Sequence, residues 1–161
     1  MKIALTIVSV MLLSVAALAD GPATPEMEPF APLIGTWDCK TSFPNEDGTT
    51  TEGHAVWTFW WILDGRAIMD EWRSPKPDGS GDFVGVNIRQ WNLKTESYEA
   101  AWLPSNSLAW DMYECWWRDG SFVMERDGVS PAGQAGRSRI TFHDITPTSF
   151  QWHMDWSSDQ G

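Results

Sequence analysis

This 161-residue chain has few of the residues that usually mark a particular chemistry: two cysteines, two tyrosines and three histidines. His54, His143 and His153 are far apart, and neither cysteine has a histidine close to it in sequence, so a zinc site is not indicated. The chain also lacks the Gly-x-Ser-x-Gly sequence that presents a serine nucleophile in many hydrolases. The sequence therefore specifies no reaction and predicts no catalytic residue.

Positive charge is also scarce. The chain has 11 Lys and Arg residues against 22 Asp and Glu residues, which gives a formal net charge of −11. Such a chain repels phosphate backbones and anionic lipid surfaces. Nucleic-acid and membrane-surface partners are therefore disfavoured, and solubility is the simplest role for the acidity.

Long apolar runs are confined to the first residues. Lys2 precedes an apolar stretch over 3–15, and Ala17-Leu18-Ala19 supplies small residues before Asp20. This layout predicts a signal peptide over 1–19, since the stretch is shorter than the roughly 20 residues of a membrane span. We therefore expect a periplasmic or secreted protein; the alternative is a retained anchor.

The rest of the chain divides into a lead-in over 20–33 and a single domain over 34–161. Pro25, Pro29 and Pro32 exclude a long helix from the lead-in, which is expected to be extended with one tight helical turn near 29–33. About 140 residues after the signal peptide are enough for one hydrophobic core.

Short runs of β-branched and aromatic residues alternate with turn residues, which predicts an all-β fold. Glycines 48, 65 and 120 end turns that need positive φ. The predicted strands are 35–43, 50–62, 66–73, 83–91, 97–103, 108–117, 121–125, 137–142 and 150–156. We expect an antiparallel up-and-down β-barrel of about 9–10 strands. Because the chain stops at Gly161 in turn-type sequence, the last strand is expected to be missing or closure to be incomplete.

Two cysteines in an exported chain allow a disulfide. Cys39 is predicted on the first strand and Cys115 on about the sixth, which lie on opposite walls of a closed meander. Since a disulfide needs Cα atoms within roughly 7 Å, two free thiols are favoured over a bond.

Twelve tryptophans are the most unusual feature of the composition. Side chains alternate across a strand, so residues on separate strands can be assigned to a common face. The residues predicted to point inward and contact a ligand are Trp57, Trp72, Arg89, Trp91, Trp102 and Trp152. Indole rings fill cores as well as bind flat ligands, so both roles stay open. The first hypothesis is an exported protein that holds an apolar or aromatic small molecule.

Two other function classes remain. Asp70 and Glu71 are neighbours on one strand and must face opposite sides, so one can pair with Arg66 or Arg89, or act as an acid/base in an enzyme. Alternatively, apolar outer faces bind another chain. Trp60, together with Trp116 or Trp117, would then lie outside.

The sequence Phe30-Ala31-Pro32-Leu33-Ile34-Gly35-Thr36-Trp37 resembles the opening of lipocalin-like (calycin) barrels. The segments Leu63–Arg66, Asp70–Trp72 and Asp144–Trp152 resemble uncharacterised bacterial proteins of that type related to the DUF1579 group. The resemblance implies a barrel of roughly ten strands without a settled activity. A haem-binding calycin uses one axial histidine on a late strand, which singles out His153 for inspection; no cofactor is otherwise predicted.

Overall fold

The computed structural model describes residues 21–44, 48–76, 78–129 and 134–158. They form one antiparallel sheet of nine strands, preceded by a 3-10 helix over Pro25–Leu33. The strands are β1 (Gly35–Pro44), β2 (Thr50–Ile62), β3 (Ala67–Pro75), β4 (Asp82–Asn92), β5 (Ser97–Pro104), β6 (Asp111–Arg118), β7 (Ser121–Val129), β8 (Ala135–His143) and β9 (Gln151–Ser157). The all-β, up-and-down prediction is confirmed.

Each strand pairs with the next along the chain, and the sheet curls into a half-barrel. Because nine alternating strands place β1 and β9 in the same direction, the two edges cannot pair antiparallel with each other. Within the described residues no ladder joins them, so closure is incomplete, as expected. The predicted signal peptide over 1–19 and the terminal Gly161 lie outside the described residues.

The alternation read from the sequence assigns the inner face correctly. On β2, Ala55, Trp57 and Phe59 are buried, while Val56 between them is exposed. On β9 the inner face exposes Met154, because within the described sheet this strand is paired with β8 alone.

The 3-10 helix plugs one end of the half-barrel and is longer than the predicted single turn. Met27, Phe30 and Leu33 are spaced three residues apart, and 3.0 residues per turn place all three on one buried face. The Phe30 ring packs edge-on against Phe122, with a centroid distance of 4.8 Å. The Tyr98 hydroxyl donates to the backbone oxygen of Glu26 at 2.7 Å. This end is called the plugged end, and the opposite one the open end.

Some predicted strand limits are wrong by several residues. Leu108 was predicted to begin the sixth strand, but its φ of 52° belongs to a turn and β6 begins at Asp111. Arg66 likewise precedes β3. Strand β7 continues to Val129, beyond the predicted 121–125, because it pairs with β8 as far as Ala135.

Both thiols are free. Burial raises the pKa of Cys115 to about 12 and, with Asp38 nearby, that of Cys39 to about 11. Since the thiolate is the reactive form, a thiol reagent at pH 8 is expected to modify the folded protein at least tenfold more slowly than the urea-unfolded protein. Cys115, which is buried, should react last; equal rates in the two states would contradict the structure.

No helix among the described residues is long and apolar enough to cross a membrane.

Candidate functional site

Three indole rings on the inner face form a slot. Trp57 on β2 is the floor, and its ring is nearly perpendicular to Trp72 on β3 (87°, centroids 4.9 Å apart) and to Trp152 on β9 (81°, 6.1 Å). The rings of Trp72 and Trp152 are inclined by only 30° to each other, with centroids 6.4 Å apart. The two walls thus face each other across the floor, and we call these three residues the aromatic slot.

Sheet register and curl bring the slot together. Trp57 and Trp72 are direct partners across the β2–β3 ladder, so their side chains share the inner face. Trp152 lies on β9, where it pairs with Phe142 of β8. Strand β9 is seven strands from β2 in the sheet order. The curl of the sheet brings β9 close to β2. The Phe150 ring holds them together, because its centroid lies 5.0 Å from that of Trp37 and 5.8 Å from that of Trp57.

The slot is buried at its floor and partly open at its walls. Trp57 is 5% exposed, whereas Trp72 and Trp152 are half-buried. Toward the open end, the same face of β9 exposes Met154 (59%) and Trp156 (38%). An apolar surface therefore leads from solvent along β9 to the slot.

A buried ion pair holds the floor in position. Asp70 accepts a hydrogen bond from the Trp57 indole nitrogen at 2.6 Å and is paired with Arg89. The Arg89 guanidinium also lies 5.0 Å from the Phe142 ring centroid. Complete burial raises the pKa of Asp70, and Arg89 and the Trp57 N–H oppose that rise. The salt bridge considered for Asp70 is confirmed, and it engages the guanidinium of Arg89, which was predicted to contact a ligand.

The other predicted ligand residues share the inner face but lie outside the slot. Trp91 packs against Tyr98 near the plugged end, with ring centroids 4.7 Å apart. Trp102 lies over Gly85, where a Cβ atom would come within 2.1 Å of the indole. The structure thus brings Trp57, Trp72, Trp152 and Arg89 together, and it separates Trp91 and Trp102 from them.

The carboxylates give no support to acid–base catalysis. Asp70 is paired with Arg89, and Glu71 lies on the outer face with its carboxylate 2.9 Å from Arg73. An enzyme of the kind considered would need a buried carboxylate without a cationic partner.

The histidines are also outside the interior. His153 is half exposed on the outer face, 3.3 Å from Asp155, and its ring lies 5.2 Å from that of His143. Both line a surface depression of about 520 Å³. Within the described parts of the chain, no group of three His, Cys, Asp or Glu residues is arranged to hold a metal.

The outer face carries an apolar row across five strands. Direct ladder partners place its members side by side: Trp60, Met69, Ile88, Ala101 and Met112. Trp60 is half-buried and Met112 is 60% exposed. Of the two tryptophans weighed for the outside, Trp116 is on this face, whereas Trp117 is inside against Phe30.

Neither a scan against protein-family models nor a search of curated proteins returned a match for this chain.

Proposed function

We propose that the protein binds a small, flat, uncharged aromatic molecule in the aromatic slot. The observation that carries the proposal is the geometry of the slot: two nearly parallel, half-buried indole rings above a perpendicular buried one. Parallel rings offer two π faces to one flat guest, and offset stacking is a favoured aromatic geometry. The guest is uncharged, because Arg89 already has Asp70 as its partner.

Entry of a ligand requires the walls to part. Carbon atoms in contact lie about 3.5–4.0 Å apart, so a flat ring between two walls needs roughly 7–8 Å between them. The ring centroids are 6.4 Å apart, so the walls must separate by roughly 0.6–1.6 Å. Trp152 can supply this movement because β9 is an edge strand in the described sheet, paired with β8 alone.

The expected affinity is modest. A two-ring aromatic ligand and the slot would each bury roughly 200 Å² of surface. At about 25 cal/mol per Å², the two surfaces together contribute about 10 kcal/mol before the costs of association. Association costs several kcal/mol. Dissociation constants between about 1 µM and 1 mM follow.

Calorimetric titration with quinoline tests the slot directly. We expect saturable binding to the folded wild-type protein and at least tenfold weaker binding to Trp152→Leu, which removes one wall. Trp110→Leu is the matched control, because Trp110 is 53% exposed and lies outside the slot. Absence of quinoline binding, or an equal loss in both variants, would contradict the proposal.

Export to the periplasm or beyond, and kinship with lipocalin-like proteins of the DUF1579 type, belong to the same proposal. The support for export is the sequence pattern over 1–19, and the support for kinship is the motif at Gly35 and Trp37. Mass spectrometry of the exported protein is expected to give an N-terminus at Asp20; an intact Met1 would argue against cleavage.

A further inference from the structure

The inner face of β4 carries two polar side chains next to the slot. Asn87 is 5% exposed and Arg89 is 1% exposed. They are two residues apart on one strand, so both point into the half-barrel. Strand interiors of this kind are normally filled by apolar residues, and the rest of the β4 inner face is Phe83, Gly85 and Trp91.

Each of these side chains has a buried atom without a hydrogen-bond partner among the described residues: Oδ1 of Asn87 and Nε of Arg89. The first is an acceptor and the second is a donor. Buried polar atoms in folded proteins nearly always have partners, so each exception calls for an explanation.

Register places Asn87 and Arg89 in the rows of the sheet that follow the row of Trp57 and Trp72. Asn87 is the direct ladder partner of Asp70, the residue that holds the Trp57 floor. Gly85, the preceding inner-face residue of β4, is the direct partner of the wall residue Trp72. Gly85 has no side chain and the Trp102 ring lies over it, so Asn87 and Arg89 are the polar inner-face residues of β4 closest to Trp72 in register.

We propose that the slot selects neutral, flat heteroaromatic molecules that carry an N–H or O–H donor next to a hydrogen-bond acceptor, as a lactam ring does. The donor of such a ligand is bound by Asn87 Oδ1, and its acceptor is bound by Arg89 Nε. This inference rests on the proposed function and adds the chemical class of the ligand. A site with a buried acceptor rejects an analogue that lacks the matching donor far more strongly than an apolar pocket rejects a difference of one methylene.

Three probes separate the possibilities: 2-quinolinone, which has the donor and the acceptor; N-methyl-2-quinolinone, which lacks the donor; and quinoline, which has a ring nitrogen alone. Calorimetry on the wild-type protein is expected to give at least tenfold tighter binding of 2-quinolinone than of either analogue. In Asn87→Leu, whose side chain has the same branching but no polar atom, this preference is expected to fall below threefold, with quinoline binding retained.

Ser138→Ala is the matched control. It also removes a buried oxygen without a partner in the described structure, but on β8, opposite Trp156. The preference for 2-quinolinone should be unchanged there. Equal binding of the three probes by the wild-type protein, or an unchanged preference in Asn87→Leu, overturns the inference and leaves the slot intact. A preference lost equally in Ser138→Ala also overturns it. Failure of all three probes to bind overturns the proposed function itself.

Discussion

Replacing Arg89 with methionine is expected to lower the free energy of unfolding by about 3–5 kcal/mol at pH 8, because it leaves the Asp70 carboxylate buried without its cation. The double variant Asp70→Asn/Arg89→Met removes both charges and keeps an acceptor for the Trp57 indole. It should recover most of the loss, since an uncharged pair of similar volume often replaces a buried ion pair at little cost. Chemical denaturation of the three proteins measures both effects.

The pH dependence gives the same prediction a second check. Burial already raises the pKa of Asp70 in the folded protein, and without Arg89 it rises further. A carboxyl whose folded-state pKa exceeds the unfolded value favours folding at low pH and loses that advantage as the pH rises through the folded pKa. The deficit of Arg89→Met relative to wild type should therefore shrink between pH 8 and pH 5.5. A deficit below about 1 kcal/mol at pH 8, or one that grows on acidification, would contradict the ion pair.

Gly65→Ala is expected to be the most damaging glycine substitution at a turn. Gly65 has φ of +80°, and an added Cβ would lie 2.2 Å from the backbone oxygen of Gly21. The contact is tight because Ala23 donates a backbone hydrogen bond to Gly65 at 2.9 Å, which ties the lead-in to the β2–β3 turn. Left-handed backbone strain costs about 1–2 kcal/mol and overpacking about 1–3 kcal/mol. Together they predict that the free energy of unfolding falls by roughly 2–5 kcal/mol.

Gly120→Ala separates the two contributions. Its φ of +76° imposes the same strain, but nothing lies within 4 Å of its added Cβ. Its free energy of unfolding should fall only by the strain contribution, about 1–2 kcal/mol. Equal losses in the two variants would show that the lead-in does not pack against the β2–β3 turn.

The sequence predicts the sheet because each strand can be recognised from its own residues, without knowledge of the strands beside it. Two-residue alternation assigns Trp57 and Trp152 to the inner face without knowledge of their neighbours, and the turn glycines mark the hairpins. The helical plug was underestimated because its prolines suggested extended chain. The three-residue spacing of Met27, Phe30 and Leu33 was the signal that would have revealed it.

The slot itself could not be read from the sequence. Alternation places a ring on a face, but the angle between rings depends on rotamers and on how far the sheet curls. Trp91 and Trp102 satisfy the same face rule as Trp72, yet Tyr98 and Gly85 direct their rings elsewhere. The pairing of Asp70 was foreseen as an option because Arg89 shares its face; the unpartnered atom of Asn87 was not, since it depends on the complete set of neighbours.

A crystal structure of the protein soaked with 2-quinolinone is the most direct measurement of whether the half-barrel holds a flat guest. We expect planar electron density between Trp72 and Trp152, with their ring centroids moved from 6.4 Å to at least about 7 Å apart and the Trp57 hydrogen bond to Asp70 intact. Density confined to the outer face, with the two indole rings still in contact, would show that the rings are only core filling.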